Sequence, residues 1–179
     1  MIRQMTILAL VLTVNLSCCG QKQFSSKDGV LSSTSLQIDT STIAVLPFDT
    51  AQKWLFIDSK PVELTNADLT QIEKLLKECI DNYNPEQERQ FNEIKIKDPS
   101  AKIYKKHFVI DLTRYKRQYI AVTNDKGEKV VWVNCFCNAM GYNWRKELFE
   151  VKDGGNCFFE LKINLTSGKY YDLNVNGDA

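Results

Sequence analysis

Residues 64–84, LTNADLTQIEKLLKECIDNYN, form the clearest helical pattern in the chain. Apolar side chains recur there at offsets of three, four and seven residues, which is one face of an α-helix: Leu69, Ile72, Leu75, Leu76, Cys79, Ile80 and Tyr83. Thr65 and Asp68 have the spacing of a capping box at the start of this helix. Asn84-Pro85 is expected to end it, because proline fits poorly inside a helix. The apolar face must pack on another part of the protein.

Strand-like runs lie on both sides of this helix. Before it come STIAVLPF (41–48) and KWLFID (53–58). After it we expect a polar loop over 85–106, and then strands at 107–112 running on into 117–123, at 128–137, at 156–164 and at 169–175. The pattern predicts an α+β fold, in which one amphipathic helix packs on an antiparallel sheet of four to five strands in the order β-α-β-β-β-β.

This order of elements resembles that of cystatin-like folds, in which a helix lies on a curved sheet. The resemblance covers the order of elements only. Cystatin protease inhibitors carry a Gln-x-Val-x-Gly hairpin, and QYIAV (118–122) has no glycine that would complete one. Protease inhibition is therefore not carried over from the resemblance.

The N-terminus has the layout of an export signal. One basic residue, Arg3, precedes the uncharged and mainly apolar run 6–16, and small residues follow. This run is shorter than the roughly 20 apolar residues that a membrane-spanning helix needs. The signal therefore directs export and is expected to be removed.

The stretch NLSCCGQ (15–21) resembles the lipobox of bacterial lipoproteins, in which a leucine and small residues precede a lipidated cysteine. The resemblance implies that Cys19 carries the lipid, with Leu16 three residues before it; Cys18 is the alternative acceptor. It also implies a signal peptide over 1–18 and a protein of the bacterial cell envelope. The membrane, reached through the lipid anchor at the periplasmic face or the cell surface, is then its first partner.

Composition divides the rest of the chain into two parts. Residues 19–41 are rich in serine, glycine and glutamine, which is typical of a flexible linker, and 42–179 are long enough for a single domain.

The net charge of the mature chain is zero. Loss of Arg3 with the signal lowers the lysine and arginine count from 23 to 22, equal to the 22 acidic residues, so we expect no nucleic-acid partner. Residues 95–117 nonetheless hold eight basic side chains against two acidic ones, either a solvated face or a surface for lipid headgroups, glycans or an acidic partner.

The four internal cysteines, Cys79, Cys135, Cys137 and Cys157, are expected to point into one core, by the helical stripe and by strand alternation. An exported protein meets an oxidising compartment, so at least one disulfide is predicted. Neighbouring strands favour Cys157 with Cys135 or Cys137, and the remaining cysteine with Cys79. Free buried thiols are the alternative. Cys-x-Cys lacks the spacing of a zinc site, so no metal is predicted.

Candidate chemistry is sparse in this sequence. His107, the only histidine, is expected to face solvent on its strand, and no phosphate-binding or nucleophile motif accompanies it. We predict no catalytic residue and no cofactor. Tyr142, Trp144 and Arg145 lie in a connection whose aromatic side chains either bind a glycan or protein partner or fold back onto the core.

These observations favour a non-catalytic binding or accessory module that binds another envelope protein or a glycan. One alternative is an envelope hydrolase or thiol-dependent enzyme whose site is assembled only in the folded chain. A cystatin-like inhibitor is the other. A polar pocket of converging acidic groups would favour the enzyme, and an exposed surface with Tyr142 and Trp144 would favour binding.

Overall fold

The computed structural model describes residues 39–49 and 52–177. The predicted export signal, both candidate lipidation sites and the part of the predicted linker before Asp39 lie outside the described residues. One long helix and a six-stranded sheet account for the regular structure: β1 (Ile43–Val45), β2 (Lys60–Pro61), α1 (Asn66–Lys97), β3 (Lys116–Thr123), β4 (Lys129–Phe136), β5 (Phe158–Asn164) and β6 (Lys169–Val175).

The sheet is mixed. Its main order is β1-β3-β4-β5-β6, and the hairpins from β3 to β6 are antiparallel, as predicted. The expectation of a wholly antiparallel sheet with one strand before the helix is wrong. β1 runs parallel to β3 over three residue pairs, Ile43 with Arg117 to Val45 with Tyr119, and the short β2 pairs antiparallel with the other end of the same edge.

Two further strand predictions are wrong. Residues 53–58 form turns that carry Leu55 and Phe56 into the core. Residues 107–112 run from the end of one 3-10 turn, Lys105–His107, to the start of another, Leu112–Arg114. The backbone of the second segment is bonded by side-chain amides instead of a neighbouring strand. Asn84 bonds both polar groups of Ile110, at 2.8 Å each, and Asn156 Nδ2 donates to Val109 O at 3.1 Å.

The start of α1 is as predicted, and its end is not. Thr65 and Asp68 form the capping box with both reciprocal hydrogen bonds. The helix continues through Pro85 to Lys97, a length of 32 residues or about 48 Å. Proline removes one backbone hydrogen bond, but contacts beyond it hold the helix, among them the Asn84–Ile110 pair and the Phe91 and Phe108 rings at 5.4 Å.

Both faces of the sheet are covered. The face toward α1 buries the predicted helix stripe against alternate strand residues, with this core: Ile72, Leu75, Leu76, Cys79, Ile80, Tyr119, Ala121, Val131, Val133, Cys135, Phe159, Leu161 and Ile163. The other face is covered by the segment after β1 and the β4–β5 connection, and its core includes Leu46, Leu55, Phe56, Ile120, Val122, Trp132, Phe136, Trp144, Phe149 and Phe158. Strands covered on both faces carry near-continuous apolar runs, as in KVVWVNCF of β4.

A disulfide joins Cys137 to Cys157, with their Cα atoms 5.1 Å apart, and this is one of the predicted pairings. Cys79 and Cys135 are free and buried, so the second predicted bridge is not formed. The expectation that all four thiols face one core is wrong for Cys157, which packs against the core on the face opposite α1. Strand alternation does not apply to it, because it ends the 3-10 turn Gly155–Cys157 before β5.

Candidate functional site

The predicted binding residues of the β4–β5 connection do not form an exposed platform. Trp144 is buried, and its ring lies 5.7 Å from that of Phe136. The Arg145 guanidinium stacks over Trp144 at 4.4 Å and donates to the carbonyl oxygens of Ser41 and Ile43. Tyr142 is 59% exposed, and Arg145 is exposed as well, although its guanidinium is engaged by Trp144 and by the backbone beside β1. Trp144 therefore closes the core, and Arg145 holds β1. Of the two arrangements predicted from the sequence, this is the one in which the connection folds back onto the core.

Two buried amides explain why this connection lies on the sheet. The Gln118 side chain is fully buried; its Nε2 donates to Trp144 O at 2.6 Å and to Glu147 O at 2.7 Å, and its Oε1 accepts from Phe149 N at 3.0 Å. Asn134 Nδ2 donates to Gln118 Oε1 and to Phe149 O, at 3.1 and 2.5 Å. Side chains on β3 and β4 thus satisfy the backbone of a connection that has no strand of its own.

A cleft of about 680 Å³ lies at the edge of the sheet, between α1, the turn before β1 and the loop before β3. We call it the helix-edge cleft. Its lining joins buried apolar residues with a ring of polar ones: Asp39, Thr42, Ile43, Glu73, Lys74, Lys77, Ile80, Asp81, Asn84, Ile110, Asp111, Leu112, Thr113 and Arg117. Residues from three distant parts of the chain meet here, because β1 and β3 pair in parallel beside the helix.

Arg117 is the buried charge of the cleft. Its Nε lies 3.4 Å from Glu73 Oε1, while its Nη atoms donate to Tyr115 O and Leu112 O at 3.1 Å. A longer contact of 3.4 Å reaches Thr42 Oγ1. The guanidinium therefore fixes the wall of the cleft to β3 and keeps the loop before β3 in place.

Glu73 joins this guanidinium to a second buried group. The Tyr119 hydroxyl donates a hydrogen bond to Glu73 Oε1. Burial, followed by the nearby Glu73 charge, raises the pKa of Tyr119 well above its ordinary value, so the phenol stays protonated and remains a donor. Glu73 thus links Arg117, which lines the cleft with it, to the fully buried Tyr119.

The acidic side chains at the mouth of the cleft are engaged in local turns. Asp39 accepts from Ser41 N at 2.9 Å, and Asp111 accepts from Thr113 at 2.7 Å from the hydroxyl and 3.1 Å from the backbone N–H. Hydrogen bonds from Ser41 and Thr113 lower the pKa of Asp39 and Asp111 respectively. Both are ionised near neutral pH and do not supply the protonated carboxyl that a general acid requires.

The free thiols are protonated at neutral pH. Burial, with a smaller contribution from Glu78, raises the pKa of Cys79 to about 11, and burial raises that of Cys135 further. The thiolate is the reactive form, so neither supplies a nucleophile in this fold. His107 is exposed, in a 3-10 turn and not on the expected strand, and it lines a smaller pocket of about 250 Å³ beside the Cys137–Cys157 disulfide.

The part of the chain that the structure describes holds no group of three or more histidine, cysteine, aspartate or glutamate side chains arranged for a metal ion. Within the same residues, no helix is both long enough and apolar enough to cross a membrane.

The sequence predictions missed Arg117, Glu73 and Tyr119 as site residues. A signal was present, because Arg117 precedes Tyr119 and Ala121 on the side of β3 that turns toward the helix, where a charged residue must find a partner. Glu73 directly follows Ile72 of the buried stripe. Which acid would meet that arginine depends on how the helix crosses the sheet.

Comparisons with known proteins give no relative for this fold or this cleft: no protein family, no curated protein and no solved structure matches the chain.

Proposed function

We propose that this is a lipid-anchored protein of the bacterial cell envelope, whose domain is a non-catalytic binding module that holds a segment of another envelope protein in the helix-edge cleft. The cleft is the observation that carries the binding proposal. Its volume of about 680 Å³ falls in the range of ligand sites, which are mainly apolar with a few fixed polar groups.

The lining favours a polypeptide segment over a glycan. Ile43, Ile80 and Ile110 are buried residues at the cleft that can contact an apolar side chain. Sugar rings instead favour aromatic faces, and none of the residues lining the cleft is aromatic. Glu73 and Arg117 hold their geometry before any partner arrives, which lowers the entropic cost of binding.

The alternative of an envelope hydrolase or thiol-dependent enzyme has weaker support. Acidic groups do converge on the cleft, but Asp39 and Asp111 have lowered pKa values. The free thiols, Cys79 and Cys135, are buried and protonated.

The anchor is tested by labelling cells with a radioactive fatty acid. The Cys19→Ala variant should lose the label and Cys18→Ala should keep it. Loss only in Cys18→Ala would move the lipid to that residue. Label that persists when both cysteines are replaced would refute both sites, and a parent chain that takes up no label would refute the anchor.

The cleft is tested by placing a photo-crosslinking amino acid at Lys74, on its rim, in the full chain in cells. The same amino acid at Lys126, in the hairpin between β3 and β4, is the control. A discrete cross-linked protein is expected from position 74 only, and it should disappear when Lys77→Trp fills the cleft. Equal cross-linking from both positions, or a product unaffected by Lys77→Trp, would refute binding in the cleft. A cross-linked product that glycosidase treatment removes would replace the polypeptide with a glycan.

A further inference from the structure

The second half of α1 extends away from the core together with the segment that follows it. The helix after Asn84 and the return segment up to Ile110 run side by side, and we call them the arm (84–110). Between 85 and 109 no side chain is buried. The arm reaches about 20 Å beyond Asn84, the rise of the thirteen helical residues up to Lys97.

The arm is held as a unit by contacts along its length. Asn84 pairs with Ile110 at its base, the Phe91 and Phe108 rings meet at 5.4 Å, and Lys95 Nζ donates to Ala101 O at 2.6 Å near its end. Lys105 also forms an ion pair with Glu88 across the two segments. A surface on this arm is therefore presented in a fixed shape.

Charge is divided along the arm. Along the helix, Glu86 and Glu93 pair with Arg89 at the surface. The part from Ile94 around the far end of the arm to Lys106, which we call the distal part, holds five lysines and a single acidic residue, Asp98. It ends beside the domain, where Lys105 pairs with Glu88 and Lys106 O accepts a hydrogen bond from Asn156 Nδ2 at 3.1 Å. Lys97, Lys102 and Lys106 have no acidic partner among the residues that the structure describes.

Apolar side chains are exposed in the same distal part. Ile96 is 79% exposed, Tyr104 60% and Ile94 39%. The Lys106 ammonium lies 5.7 Å from the centre of the Tyr104 ring. Exposed aliphatic and aromatic groups among lysines are typical of a segment that lies in the interface of an anionic bilayer, with apolar groups inserted and ammonium groups at the headgroups.

We propose that the distal part of the arm (94–106) is a second membrane contact, which lies on an anionic lipid surface and orients the domain. A membrane fits better than an acidic protein, because protein interfaces are depleted in lysine and enriched in arginine, and all five basic residues here are lysines. The twenty Cα–Cα steps from Cys19 to Asp39 span at most about 70 Å, so an anchored chain can reach this geometry.

The test is lysine footprinting of the full chain with vesicles, in which the acetylation rate of each lysine is measured by mass spectrometry. Vesicles of phosphatidylcholine alone are compared with vesicles that also contain phosphatidylglycerol. On the anionic vesicles the reaction of Lys97 and Lys102 should slow about fivefold or more, the equivalent of about 1 kcal/mol for each lysine at an anionic surface. Lys126 and Lys152, exposed elsewhere, are internal controls and should not change.

Two further conditions separate a bilayer contact from simple charge attraction. The variant Ile96→Asp should lose the protection, while Ile57→Asp, at an equally exposed isoleucine (81%) outside the arm, should keep it. Soluble polyglutamate at the same salt concentration should leave the lysines reactive. Protection by polyglutamate that survives Ile96→Asp would replace the bilayer with an acidic polypeptide.

The proposal is refuted if the distal lysines react equally on both kinds of vesicle, or if the control lysines are protected to the same extent. Its outcome is separate from that of the lipid anchor, which is read from flotation of the chain with neutral vesicles. Protection without flotation would refute the anchor alone, and flotation without protection would refute this contact alone.

Discussion

Gln118 offers the most direct test of how the sheet holds the connection between β4 and β5. Its buried amide makes four hydrogen bonds, three to the backbone of this connection and one to Asn134. In the variant Gln118→Leu the side chain has a similar size but no polar atoms. The carbonyl of Trp144 and the N–H of Phe149 then lose their partner inside the protein.

The expected loss of stability follows from the backbone groups that no longer have a hydrogen-bond partner. A buried polar group without a partner costs about 1–3 kcal/mol, and two such groups are left, so Gln118→Leu should destabilise the domain by about 2–6 kcal/mol. The measurement is urea unfolding of the oxidised protein, followed by tryptophan fluorescence, with the midpoint and slope compared between variant and parent. Loss of the ordered Trp144 environment should also weaken the near-ultraviolet circular dichroism.

Gln71→Leu is the matched control for this experiment. Its amide makes one hydrogen bond, to Leu165 O at 2.9 Å in a half-buried setting, so the same change should cost about 1 kcal/mol or less. If Gln118→Leu were no more destabilising than Gln71→Leu, the buried amide would not be what holds the connection in place.

The remaining predictions concern the disulfide, the helix cap and the arm. Before reduction, two of the four internal cysteines should react with a thiol reagent in denaturant, and all four afterwards; reduction of Cys137–Cys157, twenty residues apart, should cost about 3 kcal/mol of unfolding free energy. The pKa of Asp68 is lowered because hydrogen bonds from Thr65 and Lys129 outweigh its burial, so its stabilising contribution is present above about pH 4 and is lost as the pH falls through the lower folded value. Asp68→Asn should therefore flatten the acid limb of a stability–pH curve, and an unchanged limb would contradict this. Asn84→Leu should destabilise the protein by about 1–3 kcal/mol and speed hydrogen exchange of the amide at 110; unchanged exchange there would refute the clamp at the base of the arm.

The helix face and the last four strands were predictable because their information is local. The apolar offsets from Leu69 to Tyr83 identify the stripe; five of its seven residues are buried, and Leu69 and Tyr83 at its two ends are half-buried. The strand runs at 117–123 and 169–175 match β3 and β6 closely, and the glycine turn at 124–127 sets the hairpin between β3 and β4. A short-range pattern is sufficient for elements whose buried face is determined by the helix or strand period alone.

The end of the helix depended on residues far along the chain. Pro85 carries a strong local signal for termination, and it is outweighed by Asn84 with Ile110 and by Phe91 with Phe108. The apolar run 107–112 resembles a strand for a related reason. The side chains of Asn84 and Asn156 form hydrogen bonds with its backbone, and the apolar period of the sequence does not indicate these bonds.

The cleft could be predicted only in part. Strand alternation marks Arg117 as a charge pointing inward, but its partner Glu73 is 44 residues earlier and is fixed by the crossing of α1 over β3. The parallel pairing of β1 with β3, which brings Asp39 and Thr42 to the same wall, reverses the direction that a simple meander suggests. The sequence shows which charged and polar groups are present, but the topology determines which of them come into contact.

The pairing of β1 with β3 also determines how the domain would respond to mechanical load. A force applied at Asp39 is carried by three residue pairs, reinforced by Arg117 at Thr42 and by Arg145 at the carbonyls of Ser41 and Ile43. Because β1 is an edge strand, these contacts pass the load into β3 before it reaches the hairpins from β3 to β6. Traction on the N-terminal end would therefore act on the wall of the cleft through a strand of only three residues.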